Sequence, residues 1–128
     1  MSKDVVRTEA APAPFQGAPY NQAIKANGFV FVSGQLSLLP GEKDLKQGDI
    51  KEQTEQVFAN LKAILEEAGS SLDGLVKTTV FLQNLDDFAG MNEVYAKHVG
   101  STPPARSTVE VAKLPSGALV EIEAIALV

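Results

Sequence analysis

The sequence predicts an α+β protein: a single mixed β-sheet with two α-helices packed on one of its faces. Three observations carry that expectation. Strand-like and helix-like runs follow in the order strands, helix, strand, helix, strands. The run Ile50 to Ala68 places apolar residues at helical spacing between a capping signal and a terminating glycine. The C-terminal stretch, Pro103 to Val128, alternates apolar and polar residues on both sides of a Leu114-Pro115-Ser116-Gly117 break, the period of a strand with one buried face.

Asp4 to Thr8 (DVVRT) reads as a short strand, and Glu9 to Ala18, with Pro12 and Pro14, as an extended loop. Asn21 to Lys25 and Phe29 to Ser33 flank Asn27-Gly28. That pair tolerates positive φ and predicts a tight hairpin. Ser33-Gly34 is expected to end the second strand, and Leu36 to Gly48 to form a loop broken by Pro40-Gly41. Asp49 with Glu52 is a capping-box pattern, and Ile50, Val57, Leu61, Ile64, Leu65 and Ala68 make the buried helical stripe. Gly69 terminates this helix. Val76 to Leu82 is a β-branched, aromatic strand. A second helix, capped by Asp86 or Asp87, runs to about Val99 and buries Phe88, Met91, Tyr95 and Val99 before Gly100. Gly90 inside it costs about 1 kcal/mol against alanine and points to close packing. Two helices cover one sheet face only, yet the strands carry too much Val, Ile and Phe for the other face to be solvated. A second copy of the chain is the simplest cover.

The 128 residues are expected to form one domain, 1–128. A formal net charge of −5 and scattered Lys and Arg disfavour a nucleic-acid partner. No run approaches membrane-spanning length, and the N-terminal residues lack a secretory pattern, so a cytoplasmic protein is expected, or an organellar one whose leader has been removed. Without cysteine there is no disulfide, thiol nucleophile or thiolate metal site.

The candidate chemistry is sparse. Arg106 and Thr108 point the same way on one strand, and a guanidinium fork beside a hydroxyl suits a carboxylate. A strand arginine also serves as an edge charge or ion-pair partner. His98, the only histidine, stands near a helix C-terminus, where a cation is favoured, and reads as a surface residue. No nucleophile-elbow, phosphate-loop or metal-ligand spacing is present, so neither metal nor cofactor is expected. The acidic pairs Glu66-Glu67 and Asp86-Asp87 read as helix-end residues. By residue type alone, Tyr20 is an ordinary half-buried aromatic, Asn92 a partner for its own helix, and Ser33 a strand-end cap.

The motifs Ala18-Pro19-Tyr20-Asn21-Gln22-Ala23, Val32-Ser33-Gly34-Gln35, Val76 to Leu82, Asp87-Phe88 with Asn92 to Tyr95, and Pro104-Ala105-Arg106-Ser107-Thr108-Val109-Glu110-Val111-Ala112 with Glu121-Ile122-Glu123-Ala124 stand in one order along the chain. Together they resemble the reactive intermediate deaminase A family, also called RidA or YjgF. The resemblance implies a chorismate-mutase-like fold, a homotrimer and sites in the clefts between subunits. It implies that Arg106 binds the substrate carboxylate, with Tyr20, Ser33, Gly34, Asn92, Thr108 and Glu121 around the same cleft. Ala18 replaces the family's usual glycine, and Thr108 stands where many members have cysteine. Threonine cannot act as a thiolate, so that position is expected to supply backbone and shape.

The activity so implied is hydrolysis of 2-imino acids, such as 2-iminobutanoate and 2-iminopropanoate, to 2-keto acids and ammonia, without a cofactor. Arg106 and Glu121 are its expected catalytic residues. The competing readings are a non-catalytic metabolite-binding or chaperone-like trimer and, against the net charge, an endoribonuclease or translation inhibitor.

Overall fold

The computed structural model describes residues 2–42, 44–45 and 48–128. Lys43, Lys46 and Gln47, inside the expected 36–48 loop, lie outside the described residues, as does Met1. The chain runs β1 (Asp4–Val6), β2 (Ala23–Ala26), β3 (Phe29–Gln35), α1 (Ile50–Glu67), β4 (Leu75–Leu82), α2 (Phe88–His98), β5 (Ala105–Glu110) and β6 (Val120–Leu127). The six strands form one sheet in the order β1-β2-β3-β6-β4-β5. All neighbours are antiparallel except β4 and β5, which are parallel, so the sheet is mixed as expected.

Local chemistry fixes most element ends. Asn27 and Gly28 both take positive φ (53° and 82°), making the β2–β3 hairpin. The Asp49 side chain accepts from the Glu52 N–H while Glu52 reaches back to the Asp49 N–H, closing the capping box. Gly69 leaves α1 at φ 85°. Gly90 is tight: a β-carbon there would meet Ile50 Cγ2 of α1 at 2.8 Å.

Several expectations shift. β1 stops at Val6, because the Thr8 N–H and C=O bond to the Gln22 side chain instead of a neighbouring strand. β3 does not end at Ser33-Gly34 but continues to Gln35 through a bulge, since Val32 pairs with Ala124 and Gln35 with Ile122. Neither Asp86 nor Asp87 caps a helix through its side chain. Asn84 does so for the 3-10 turn Leu85–Asp87 that leads into α2. Phe88 is 41% exposed rather than core, because it is the first residue of α2 and overhangs the edge strand β5.

The core lies between the helices and one sheet face. Val30, Val80, Val120 and Ile122 from the sheet meet Val57, Phe58, Leu61 and Ile64 of α1, all fully buried. The opposite face bears Phe31, Thr79, Phe81, Val109, Glu121, Glu123 and Ile125, with Phe31 45% exposed. No helix or strand among the described residues covers it; only the end near Phe81 packs against a small cluster of Leu36, Leu38, Leu114 and Ala118. Among the described residues, no helix is long and apolar enough to cross a membrane.

Candidate functional site

On the open face, the β3 bulge adds one residue opposite β6 and turns the Ser33-Gly34 backbone onto the Glu121 side chain. A β-carbon at residue 34 would lie 2.6 Å from Glu121 Oε2, so only glycine permits this approach. Burial raises the Glu121 pKa above the ordinary carboxylate value, and the neighbouring Glu123 charge adds to the rise. Ser33 is engaged locally: its hydroxyl donates to the Asn21 carbonyl at 2.6 Å. Ser33, Gly34, Tyr20 and Glu121 line a cavity of about 490 Å³, walled further by Phe15 and Pro115.

The far wall is the segment between β1 and β2, hydrogen-bonded down by one side chain and packed into the core through Ala11. Buried Gln22 accepts from the Thr8 N–H and donates to the carbonyls of Thr8, Ala11 and Pro12 (2.8–3.2 Å). Tyr20 accepts from the Phe15 N–H at 2.6 Å, fixing its hydroxyl at the rim. Two turns of similar shape flank the mouth, Phe15–Gly17 and Pro115–Gly117. Each carries a non-glycine residue at positive φ, Gln16 (53°) and Ser116 (56°).

Arg106 and Thr108 share a face, as expected, but it is the other face of the sheet. Arg106 registers with buried Thr78, and Thr108 with buried Val80, both turned toward the helices. The guanidinium carbon of Arg106 sits 4.6 Å from the ring centre of Tyr95 and 5.5 Å from that of Phe88. Asn92, one turn beyond Phe88, lies on the same side of α2. Among the described residues Arg106 has no ion-pair partner, and the buried Thr108 hydroxyl has no hydrogen-bond partner. An unpaired guanidinium beside an unsatisfied hydroxyl is the donor set of an anion site.

One chain therefore brings the expected residues together as two separate groups. Tyr20, Ser33, Gly34 and Glu121 surround the open-face cavity, while Asn92, Arg106 and Thr108 stand on the helix side of edge strand β5. Strand pairing puts Arg106 and Glu121 on opposite sheet faces, so a single protomer cannot present both to one small molecule. The sequence marks Phe88 and Tyr95 only as core and motif residues; their contact with Arg106, and the clamping role of Gln22, are visible only in the structure. The recurrence 88, 92, 95 at the α2 N-terminal end marks one helix face and was the available signal. His98 stacks on Phe58 (4.6 Å between centres, 7° between planes), and its Nε2 lies 2.6 Å from Glu55 Oε1. Among the described residues no cluster of three or more His, Asp or Glu could hold a metal.

Fold and geometry thus define a small α+β protein with two groups of candidate residues on opposite faces of one sheet, one carrying a carboxylate and the other an arginine without an ion-pair partner among the described residues. Comparison with known proteins narrows the class. A family model described as endoribonuclease L-PSP matches residues 8–128. The chain is 54% identical to a RutC family protein of Pyrococcus abyssi over 126 residues, covering 98% of each. It is 48% identical to the chloroplastic Reactive Intermediate Deaminase A of Arabidopsis thaliana, covering 98% of this chain and 66% of that protein. The crystal structure of RidA from an Antarctic Psychrobacter superposes with a TM-score of 0.92 at 45% identity, over 98% of this chain and 99% of that one. The chain belongs to the endoribonuclease L-PSP family, in which RidA, YjgF and RutC proteins stand together.

Proposed function

We propose that the protein is an imine deaminase that hydrolyses 2-imino acids, or their enamine tautomers, to 2-keto acids and ammonia. It works as a homotrimer in which Arg106 of one subunit faces Glu121 of the next. The observation that carries this reading is the division of the site: an Arg106 without an ion-pair partner among the described residues and a half-buried Glu121 on opposite faces of one sheet. The exposed apolar residues Phe31 and Val109 on the face that bears Glu121 support burial against another copy. The number three follows the family resemblance.

In this mechanism Arg106 holds the carboxylate through its planar fork, and the Thr108 hydroxyl and Asn92 complete that end. Gly34 and Ser33 shape the floor, and the Tyr20 hydroxyl stands at the rim. The protonated imine carbon is already electrophilic. Glu121 accepts a proton from water as its oxygen bonds to that carbon, giving a carbinolamine. Glu121 then returns that proton to the amino nitrogen, and the carbon–nitrogen bond breaks as ammonia leaves. The hydroxyl proton passes to the ammonia, leaving the keto acid, ammonium and an ionised Glu121. Burial and the neighbouring Glu123 raise the Glu121 pKa, which makes its ionised form a stronger base. A substrate that decays quickly by itself needs little acceleration, and positioning supplies much of it.

The test is keto-acid formation from threonine by a pyridoxal-phosphate dehydratase, followed with and without the protein. Faster release of 2-oxobutanoate than from the free imine supports the deaminase. No acceleration, with the keto acid binding saturably, favours the metabolite-binding trimer. The family description makes an endoribonuclease the remaining reading, and salt-sensitive RNA binding with cleavage is its test. The net charge of −5 and a sole histidine occupied by Phe58 and Glu55 weigh against it.

A further inference from the structure

We infer that Phe88 and Tyr95 are positioning residues for Arg106, a pair of rings that aims the guanidinium without using its hydrogen-bond donors. The inference rests on the carboxylate-binding reading of Arg106 and asks how that side chain keeps its place. An arginine on an edge strand has a long, rotamer-rich side chain, and holding it in one pose costs entropy. A carboxylate partner in the chain would fix it, yet would occupy the N–H groups that the substrate needs. Aromatic faces attract the flat cation through their quadrupoles and leave its N–H edge free. Arg106 has this environment: Tyr95 at 4.6 Å, Phe88 at 5.5 Å, and no ion-pair partner among the described residues.

Tyr95 is itself immobilised. Its hydroxyl shares a buried 2.6 Å hydrogen bond with Thr78 Oγ1, and Thr78 is the β4 residue in register with Arg106. Its ring meets that of fully buried Phe58 edge-on at 5.4 Å and 80°. The pose of Arg106 is thereby tied to the α1–α2 core. Phe88 has no such packing duty. It is 41% exposed, an apolar ring left at the surface where it meets the guanidinium. That exposure makes it the cleaner probe, because a change there leaves the core intact.

The experiment measures imine hydrolysis and, by calorimetry, binding of 2-oxobutanoate, which carries the same carboxylate. The variants are Phe88→Leu, Phe88→Tyr and Tyr95→Phe, with Phe88→Leu also made in the Arg106→Ala background. Phe88→Leu is expected to raise KM and weaken 2-oxobutanoate binding by about three- to thirtyfold, the range of a cation–π contact, with kcat little changed. Phe88→Tyr restores a ring and binding with it. Tyr95→Phe keeps its ring and so has the smaller effect. In the Arg106→Ala background Phe88→Leu is expected to change kcat/KM no further, since there is no guanidinium left to aim. Unchanged KM and binding in folded Phe88→Leu, or a loss that persists undiminished without Arg106, overturns the clamp; the latter would make Phe88 a direct substrate contact. If Arg106→Ala itself hydrolyses imines normally, the carboxylate-binding reading of Arg106 has failed, a result separable from failure of the clamp, which leaves Arg106→Ala impaired and Phe88→Leu unchanged.

Discussion

The two charged groups of the candidate site are held by different means. Glu121 is placed by backbone: a bulge in β3, a glycine with no β-carbon to obstruct it, and a cavity wall fastened by amide hydrogen bonds. Arg106 is placed by side chains, two aromatic rings on a helix that approaches the edge of the sheet. Backbone placement is stiff and suits a base that must meet one water at one angle. Ring placement fixes a cation while leaving its donors free for a ligand. The contrast also locates vulnerability: the carboxylate half should fail through changes of shape, the arginine half through loss of charge or of its planar fork.

The largest expected effect is at Arg106. If Arg106 binds the substrate carboxylate, truncation leaves that anion unpaired in a partly desolvated cleft, and Arg106→Ala should lower kcat/KM by about thirty- to several-thousand-fold. Arg106→Lys should also be badly impaired, since the ammonium keeps the charge but loses the fork. Both should retain wild-type oligomer size by sedimentation. Loss of activity together with collapse of the oligomer would instead mark Arg106 as an interface residue.

Glu121→Gln should lower kcat by about a hundredfold, the scale of general-base catalysis. It should act oppositely on stability. Burial raises the carboxyl's folded-state pKa, so this group's contribution is most favourable when protonated and is lost as pH rises through that raised pKa. Glutamine imitates the neutral form. Thermal unfolding should therefore show the variant more stable than wild type near pH 7, with the gap closing as acid protonates Glu121. The activity of the wild type should fall over the same acid limb.

Mixing the two inactive proteins tests the separation of the half-sites directly. If each site draws Arg106 from one subunit and Glu121 from the next, trimers reassembled at random from Arg106→Ala and Glu121→Gln chains regain about a quarter of their sites. No recovery on verified mixed trimers would overturn the site shared between subunits.

Gly34→Ala should lower kcat by about tenfold with little effect on substrate binding, because the new methyl displaces the Glu121 carboxylate and leaves Arg106 untouched. The smallest effect belongs to Thr108. Thr108→Cys should stay within about threefold of wild type, and Thr108→Ala should be tolerated better than Arg106→Ala, the hydroxyl being one donor among several. A gain of orders of magnitude with cysteine would assign the chemistry to a thiolate that this chain lacks.

The parts of this design that were legible in the sequence are those set by short-range chemistry. Asn27-Gly28 declared its hairpin, Asp49 and Glu52 their capping box, and Arg106 with Thr108 their common face. The opposition of Arg106 and Glu121 was not legible. It depends on which face of β5 turns inward, and that follows from the register of β5 on β4 and of β4 on β6. A local pattern cannot fix such long-range pairings. The bulge was hidden because Ser33-Gly34 looks the same as a strand terminus. Phe88 misled for a similar reason: helical spacing places it with Met91 and Tyr95, but the sheet ends beneath it.

Gln22 has a consequence for motion. Residues 8–12, and with them one wall of the cavity, are fastened to the sheet by the hydrogen bonds of a single buried amide and the packing of the small Ala11, outside any strand ladder. A wall held in that way has its own opening equilibrium, with a free energy below that of global unfolding. The amides of this segment should exchange with solvent as a group while those of β3 and β6 stay protected. The aperture through which a small metabolite enters or leaves can then widen on its own, and its rate would be tunable at one position without disturbing either charged residue.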